Sequence, residues 1–142
     1  MVKAEANIII NAPVEKVYGL LIDSEKLPEW MPLLVEVHDI QGNGVGQKYK
    51  WTYKFMGIKF EGTNEILEQV PNKKTVTKSK AGIDSLWTWN FTEEGGGTKV
   101  DVLVEYTIPI PVLGKFAENF VVKQGSRDVK HALETLKHML EA

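Results

Sequence analysis

The chain has 142 residues, no cysteine, and 17 Lys+Arg against 19 Asp+Glu, a formal net charge of -2. This length predicts a single domain over residues 1–142, large enough to bury roughly two thirds of its unfolded surface without a staple. Balanced charge excludes a broad electrostatic grip on nucleic acid or anionic lipid, and zero cysteine excludes disulfides, thiolate zinc sites and a cysteine nucleophile.

Residues 1–6 lack a basic stretch followed by an apolar one, and Ile8-Ile9-Ile10 is too short to span a bilayer. A cytoplasmic protein with no signal peptide and no integral membrane segment is therefore expected. Residues 3–10 read as a strand, stopped by Asn11-Ala12-Pro13. Proline at a first helical position and Glu15 soon after open a short helix through Val14, Val17, Tyr18, Leu21 and Ile22. A second short helix or turn covers residues 24–30, where Pro28 and Pro32 prevent anything longer.

The pattern then switches to period two. Residues 33–40 form a strand, and Gly42-Asn43-Gly44-Val45-Gly46 a turn. Tyr49, Trp51, Tyr53 and Phe55 alternate with Lys48, Lys50, Thr52 and Lys54, the signature of a half-buried strand. Further strands are predicted over 58–70, 75–81, 85–92 and 98–108, with the polarity of 75–81 suggesting a sheet edge. Tight turns between these six strands make an antiparallel meander to which the first strand can add.

Residues 112–140 read as one long helix or two in series. Its apolar ridge runs Leu113, Ala117, Val121, Gly125, Val129, Leu133, drifting about 40° at each i+4 step. Such drift fits a helix crossing a curved sheet, or a kink at Gly125-Ser126. One helix cannot cover seven curved strands, so a cavity between sheet and helix is expected, closed at one end by the short helices.

Catalytic motifs are lacking: no GxSxG, HExxH, phosphate loop or dinucleotide fingerprint occurs. His131, Glu134 and His138 share a helix face, but it points about 140–200° away from the core stripe, so no metal site and no cofactor are expected. His38, beside Asp39, reads as a surface or turn residue. The aromatic rows Tyr49/Trp51/Tyr53/Phe55 and Trp87/Trp89/Phe91, with Val100/Val102/Val104/Tyr106, are the informative feature. Aromatics with a few hydroxyl and indole N–H groups suit a flat apolar ligand. Asn64, Asn90, Gln124 and Arg127 are the buried polar candidates, each subject to a one-residue slip in register.

Three segments carry a resemblance: Asn11-Ala12-Pro13-Val14-Glu15-Lys16-Val17-Tyr18, Leu27-Pro28-Glu29-Trp30-Met31-Pro32, and Trp89-x-Phe91 followed by Gly97-Thr98-Lys99-Val100. In this order they resemble the polyketide cyclase/dehydrase and lipid-transport family of the START-like (SRPBCC, birch-pollen-allergen) superfamily. The resemblance implies an α+β helix-grip fold, a seven-stranded curved antiparallel sheet around a long C-terminal helix, with a deep apolar cavity. It carries over cavity-facing positions and no catalytic ones.

The leading expectation is a carrier or sensor for a small hydrophobic molecule, aromatic, isoprenoid or lipid-like. Its cavity would be lined by Tyr49, Trp51, Tyr53, Trp87, Trp89, Phe91, Tyr106, Phe116, Phe120 and Gln124, with Trp30 and Met31 at the mouth. No histidine or evident carboxylate faces this cavity, which favours binding over catalysis. The alternative is a cyclase/dehydratase- or hydrolase-type enzyme using Glu65, Asp84, Tyr53 or Tyr106 as acid or base. A third reading is an interaction module, or weak homodimer, using Phe116 and Phe120 beside Ile108-Pro109-Ile110-Pro111.

Overall fold

A computed structural model describes residues 2–81, 83–107 and 114–142, with the side chains of 114–119 and of 121 outside the description. The elements run β1 (Val2–Ile10), α1 (Val14–Ile22), a 3-10 turn (Ser24–Lys26), α2 (Leu27–Trp30), β2 (Leu34–Gln41), β3 (Lys48–Phe55), β4 (Ile58–Val70), β5 (Lys74–Lys80), β6 (Asp84–Glu94), β7 (Gly97–Thr107) and α3 (Gly114–Glu141). Leu113, Val112 and the segment 108–111 lie outside the described residues.

All seven strands join one antiparallel sheet in the order β1-β7-β6-β5-β4-β3-β2. The meander is as expected, and β1 closes onto β7 with Ile8 opposite Val100 and Ala4 opposite Val104. Gly42, Gly44 and Gly46 turn the chain between β2 and β3 with φ of 79°, 66° and 91°, values that a side chain would strain.

One expectation is corrected. β5 is not an edge: it lies between β4 and β6, and the edges are β1 and β2. Its polarity reflects two different polar rows rather than an unpaired side. Lys74, Lys78 and Lys80 alternate outward, while Thr75, Thr77 and Ser79 point inward opposite Trp89, Trp87 and Ser85.

α3 packs most extensively against β1, where Ala4, Ala6, Ile8 and Ile10 form a small or aliphatic inner row. The buried core gathers there: Val129, Ala132, Leu133 and Leu136 of α3 meet Ile10, Val17, Val100, Val102 and Val104. The same helix is touched by Tyr53 of β3, whose hydroxyl reaches Asp128 at 2.8 Å. Five strand steps separate β1 from β3, a flat distance of about 24 Å at the usual strand spacing. Only a sheet curled around the helix brings both to it, which is the helix-grip arrangement. A single helix of 28 residues runs through Gly125, so no second helix begins there.

The far end of α3 is tied to the β1 edge. Lys137 Nζ donates to the Ile9 carbonyl at 2.8 Å, and the Asn11 N–H donates to Glu141 Oε2 at 2.7 Å. Those contacts cover an edge that would otherwise expose unpaired backbone groups.

Candidate ligand site

Alternation along β3 sends Tyr49, Trp51 and Tyr53 to the inner face, opposite Asn64, Gly62 and Phe60 of β4. Gly62 is what lets the Trp51 indole lie across β4: a Cβ there would come within 2.6 Å of Trp51 Cε2 and 2.8 Å of Ala81 Cβ. Trp51 Nε1 donates to Asn64 Oδ1 at 2.9 Å, and Asn64 Nδ2 donates to the Tyr49 hydroxyl at 3.0 Å. Ser24, beside the Tyr49 phenol, donates to Gln47 Oε1 at 2.5 Å. This relay ties the turn after α1 to β3, and burial pushes the Tyr49 phenol up.

A second polar cluster lies where β3 meets α3. Asp128 Oδ2 accepts from the Tyr53 hydroxyl at 2.8 Å, and Asp128 Oδ1 accepts from Gln124 Nε2 at 3.0 Å. Half-burial raises the Asp128 carboxyl above the ordinary carboxylate range, while the donors from Tyr53 and Gln124 oppose the rise. Burial first, and the neighbouring Asp128 charge second, push Tyr106 up to about 12. Tyr53 is raised by burial and by Asp128 as well. Gly125 sits directly over Tyr106: a Cβ would meet the phenol oxygen and stand 3.0 Å from Cζ. The glycine in the helix ridge is thus a seat for Tyr106.

Other expected lining residues separate by depth. Trp87 and Trp89 stack at 6.2 Å, and Trp87 Nε1 donates to Ser85 Oγ at 3.0 Å. Trp30 is only 2% exposed and meets Trp89 edge-on at 5.7 Å, which puts it in the buried core and not at an exposed mouth. Met31 is half-buried against the same core. Phe91 is buried against Tyr18 and belongs to the packed end. Trp51, Tyr53, Trp87 and Tyr106 are half-buried, leaving an aromatic surface partly open beside the dry core.

Phe120 points outward at 55% exposure, edge-on to Phe55. The Phe116 side chain and Ile108-Pro109-Ile110-Pro111 lie outside the description. Asn90 and Arg127 are exposed, as are His131, Glu134 and His138. His38 is half-buried, its Nδ1 3.8 Å from Glu36.

Of the expected acids, Glu65 lies opposite Lys48 and Lys78 in the outer row, and Asp84 shares the outer parity of β6. The carboxylate that does reach the aromatic face is Asp128, which the sequence reading passed over. Its signal was available: Asp128 stands four residues after Gln124 on the same face, flanking the Gly125–Val129 ridge. A cleft of about 320 Å³ lies across β2–β5, lined by Lys48, Lys50, Lys78, Lys80, Asp39 and Glu65 together with Tyr49 and Asn64.

The arrangement offers aromatic walls and one hydrogen-bonding end that can present a carboxyl, two phenols and an amide to a guest. Such a site grips an apolar body and orients one polar group. No helix among the described residues is long and apolar enough to cross a membrane.

Residues 1–141 match the model of the polyketide cyclase/dehydrase and lipid transport family, and the chain belongs to that family. A crystallised protein of Thermus thermophilus is similar, with 25% identity, a TM-score of 0.85, and 98% of this chain and 97% of that one covered. A START superfamily protein from Mycobacterium smegmatis superposes with a TM-score of 0.80 at 15% identity, over 99% and 98% of the chains. The di-domain ARO/CYC StfQ of the steffimycin biosynthetic pathway gives a TM-score of 0.83 at 19% identity, with 99% of this chain on 50% of that one. At that identity the last two show shared fold alone. No curated protein matches the chain by sequence.

Proposed function

We propose that the chain binds a small, flat, hydrophobic molecule bearing one hydrogen-bonding group, as a carrier or sensor. Its apolar body would lie among Trp51, Trp87 and Tyr106, and its polar group on the Tyr53–Asp128–Gln124 cluster. The observation that carries this reading is that cluster, a hydrogen-bonded carboxyl half-buried beside aromatic side chains that are themselves not fully packed. Burial of this carboxyl outweighs the help of its two hydrogen bonds, a cost that a polar group of a bound guest could relieve. The family's range, which includes lipid transport, agrees with a hydrophobic guest.

The test pairs 2-naphthol with naphthalene, two probes of one shape differing by a hydroxyl. Tryptophan fluorescence should report saturable binding of both, with naphthol the tighter. Trp51→Ala should abolish the signal for both while circular dichroism stays unchanged. Tyr53→Phe with Asp128→Ala should remove only the preference for naphthol. Binding of neither probe, or full affinity in folded Trp51→Ala, overturns the assignment.

A second reading is favoured by the same carboxyl. Asp128 with a raised pKa, held by one phenol and near a second, has the makings of an acid–base pair for a cyclisation or dehydration. StfQ is described as a di-domain ARO/CYC protein, and this chain would, on that reading, process its guest. Turnover of a poly-β-ketone thioester that disappears in Asp128→Asn would select this reading over binding alone.

A further inference from the structure

The β3–β4 hairpin ends in Lys54-Phe55-Met56-Gly57-Ile58-Lys59-Phe60, and its tip is apolar and uncovered. Met56 is 84% exposed, Ile58 60% and Phe60 45%. Phe120 of α3 joins the same surface through Phe55, their ring centroids 6.5 Å apart. Contiguous exposed apolar side chains of this size mark a contact surface on a folded protein.

Two local costs fall on the same seven residues. Met56 adopts a φ of 52° beside Gly57 at 80°. That is the mirror-image hairpin turn, whose first position Asn or Asp occupies comfortably and a long apolar residue does not. Lys54 stands directly opposite Lys59 in register, a like-charged cross-strand pair that opposes hairpin formation. Neither lysine is in an ion pair among the described residues. The first acid met along either strand from the tip is Glu61, opposite Thr52. The Tyr53–Phe60 cross-strand ring pair supports the hairpin behind the tip, but no acidic side chain among the described residues meets the two lysines.

We infer that this hairpin tip docks on the surface of an anionic lipid bilayer, with Met56 and Ile58 entering the headgroup layer and Lys54 and Lys59 on lipid phosphates. The charge decides the occupant. An apolar tip flanked by two lysines complements a surface that is apolar beneath and anionic above. A second copy pairing tip to tip about a two-fold axis would bring four lysines together, which like-charge repulsion opposes. The whole-chain charge of -2 excludes a broad cationic face, not a local one of two lysines at a protruding turn. The contact is peripheral and independent of what the aromatic site binds.

The test is flotation of the full chain with phosphatidylcholine vesicles, alone and with one third phosphatidylglycerol. Partition should require the anionic lipid and weaken as salt is raised. Lys54→Gln with Lys59→Gln should weaken partition roughly thirtyfold, and Met56→Ser with Ile58→Ser should abolish it. The exposure of these positions predicts unchanged circular dichroism and unchanged naphthol binding, so loss of docking and failure of the aromatic site are read separately. No flotation with anionic vesicles overturns the inference. So does flotation indifferent to Met56→Ser and Ile58→Ser, or sedimentation showing a tip-dependent dimer without vesicle binding.

Discussion

The Tyr53 hydroxyl donates to Asp128 Oδ2 at 2.8 Å, closing a gap of 75 residues between the next-to-last strand of the sheet and the helix that packs on its opposite edge. This contact is where the curl of the sheet becomes a site. It places a carboxyl among aromatics, fixes it with a phenol, and leaves Gln124 to complete the set. Each of these roles can be tested separately.

Tyr53→Phe removes a donor that favours the ionised carboxyl, so the Asp128 pKa should rise further. At neutral pH the substitution should destabilise the fold by about 1 kcal/mol, reduced from the usual value for a charged partner because the pair is half-buried. The loss should shrink as pH falls and Asp128 takes up its proton. Carboxyl-carbon NMR of Asp128, read beside urea midpoints across the acid range, checks both statements. An unmoved Asp128 titration would mean the hydrogen bond does not form in solution.

The raised Asp128 pKa has a stability consequence of fixed sign. In the folded chain this group holds its proton to higher pH than in the unfolded chain, so its favourable contribution is complete below the unfolded carboxylate range. It is lost as pH rises through the folded pKa. Asp128→Asn has no such titration. Wild type should therefore lose stability relative to Asp128→Asn on going from acid to neutral pH, as measured by paired urea denaturations. The opposite trend would show that Asp128 is stabilised as a carboxylate.

Gly125→Ala sets helix propensity against packing. Alanine should gain about 1 kcal/mol within a helix, but its Cβ collides with the Tyr106 phenol. Overpacking of that kind costs about 1–3 kcal/mol, so the variant should be less stable or neutral, with Tyr106 displaced. Removing the phenol oxygen relieves the worst contact, so Gly125→Ala in a Tyr106→Phe background should be neutral to stabilising. A double-mutant cycle in thermal unfolding reads the coupling, and additive effects would contradict the contact.

Glu141 accepts from the Asn11 N–H and from Lys137 at 2.6 Å, and these bonds, the backbone one first, hold its carboxyl below the usual range. Its contribution is present above the unfolded carboxylate range and is lost as pH falls through the lowered folded value. Glu141→Ala should accelerate hydrogen exchange at the Asn11 amide and in the last turn of α3, leaving the Val129–Leu136 core protected. Protection of Asn11 unchanged by the substitution would place its partner elsewhere.

The strands were legible because alternation is a local property: Tyr49, Trp51 and Tyr53 take one face whatever the sheet does next. The glycine turn at residues 42–46 and the Val129–Leu133–Leu136 stripe were legible on the same ground, through backbone sterics and helical period. What the sequence could not carry was adjacency. The polarity of Lys74–Lys80 suggested an edge, yet strand order is decided by which rows bury one another, and β5 lies inside the sheet with its hydroxyls inward. Trp30 reads from the sequence as a rim residue, and only its packing on Trp89 puts it in the core. Asp128 flanks the helix ridge at a position that solvent or protein could equally claim. The curl of the sheet, set by non-local burial of β1 and β7 on α3, swings β3 over it. Local pattern thus determined the elements and their faces, and tertiary packing alone decided which face the carboxyl meets.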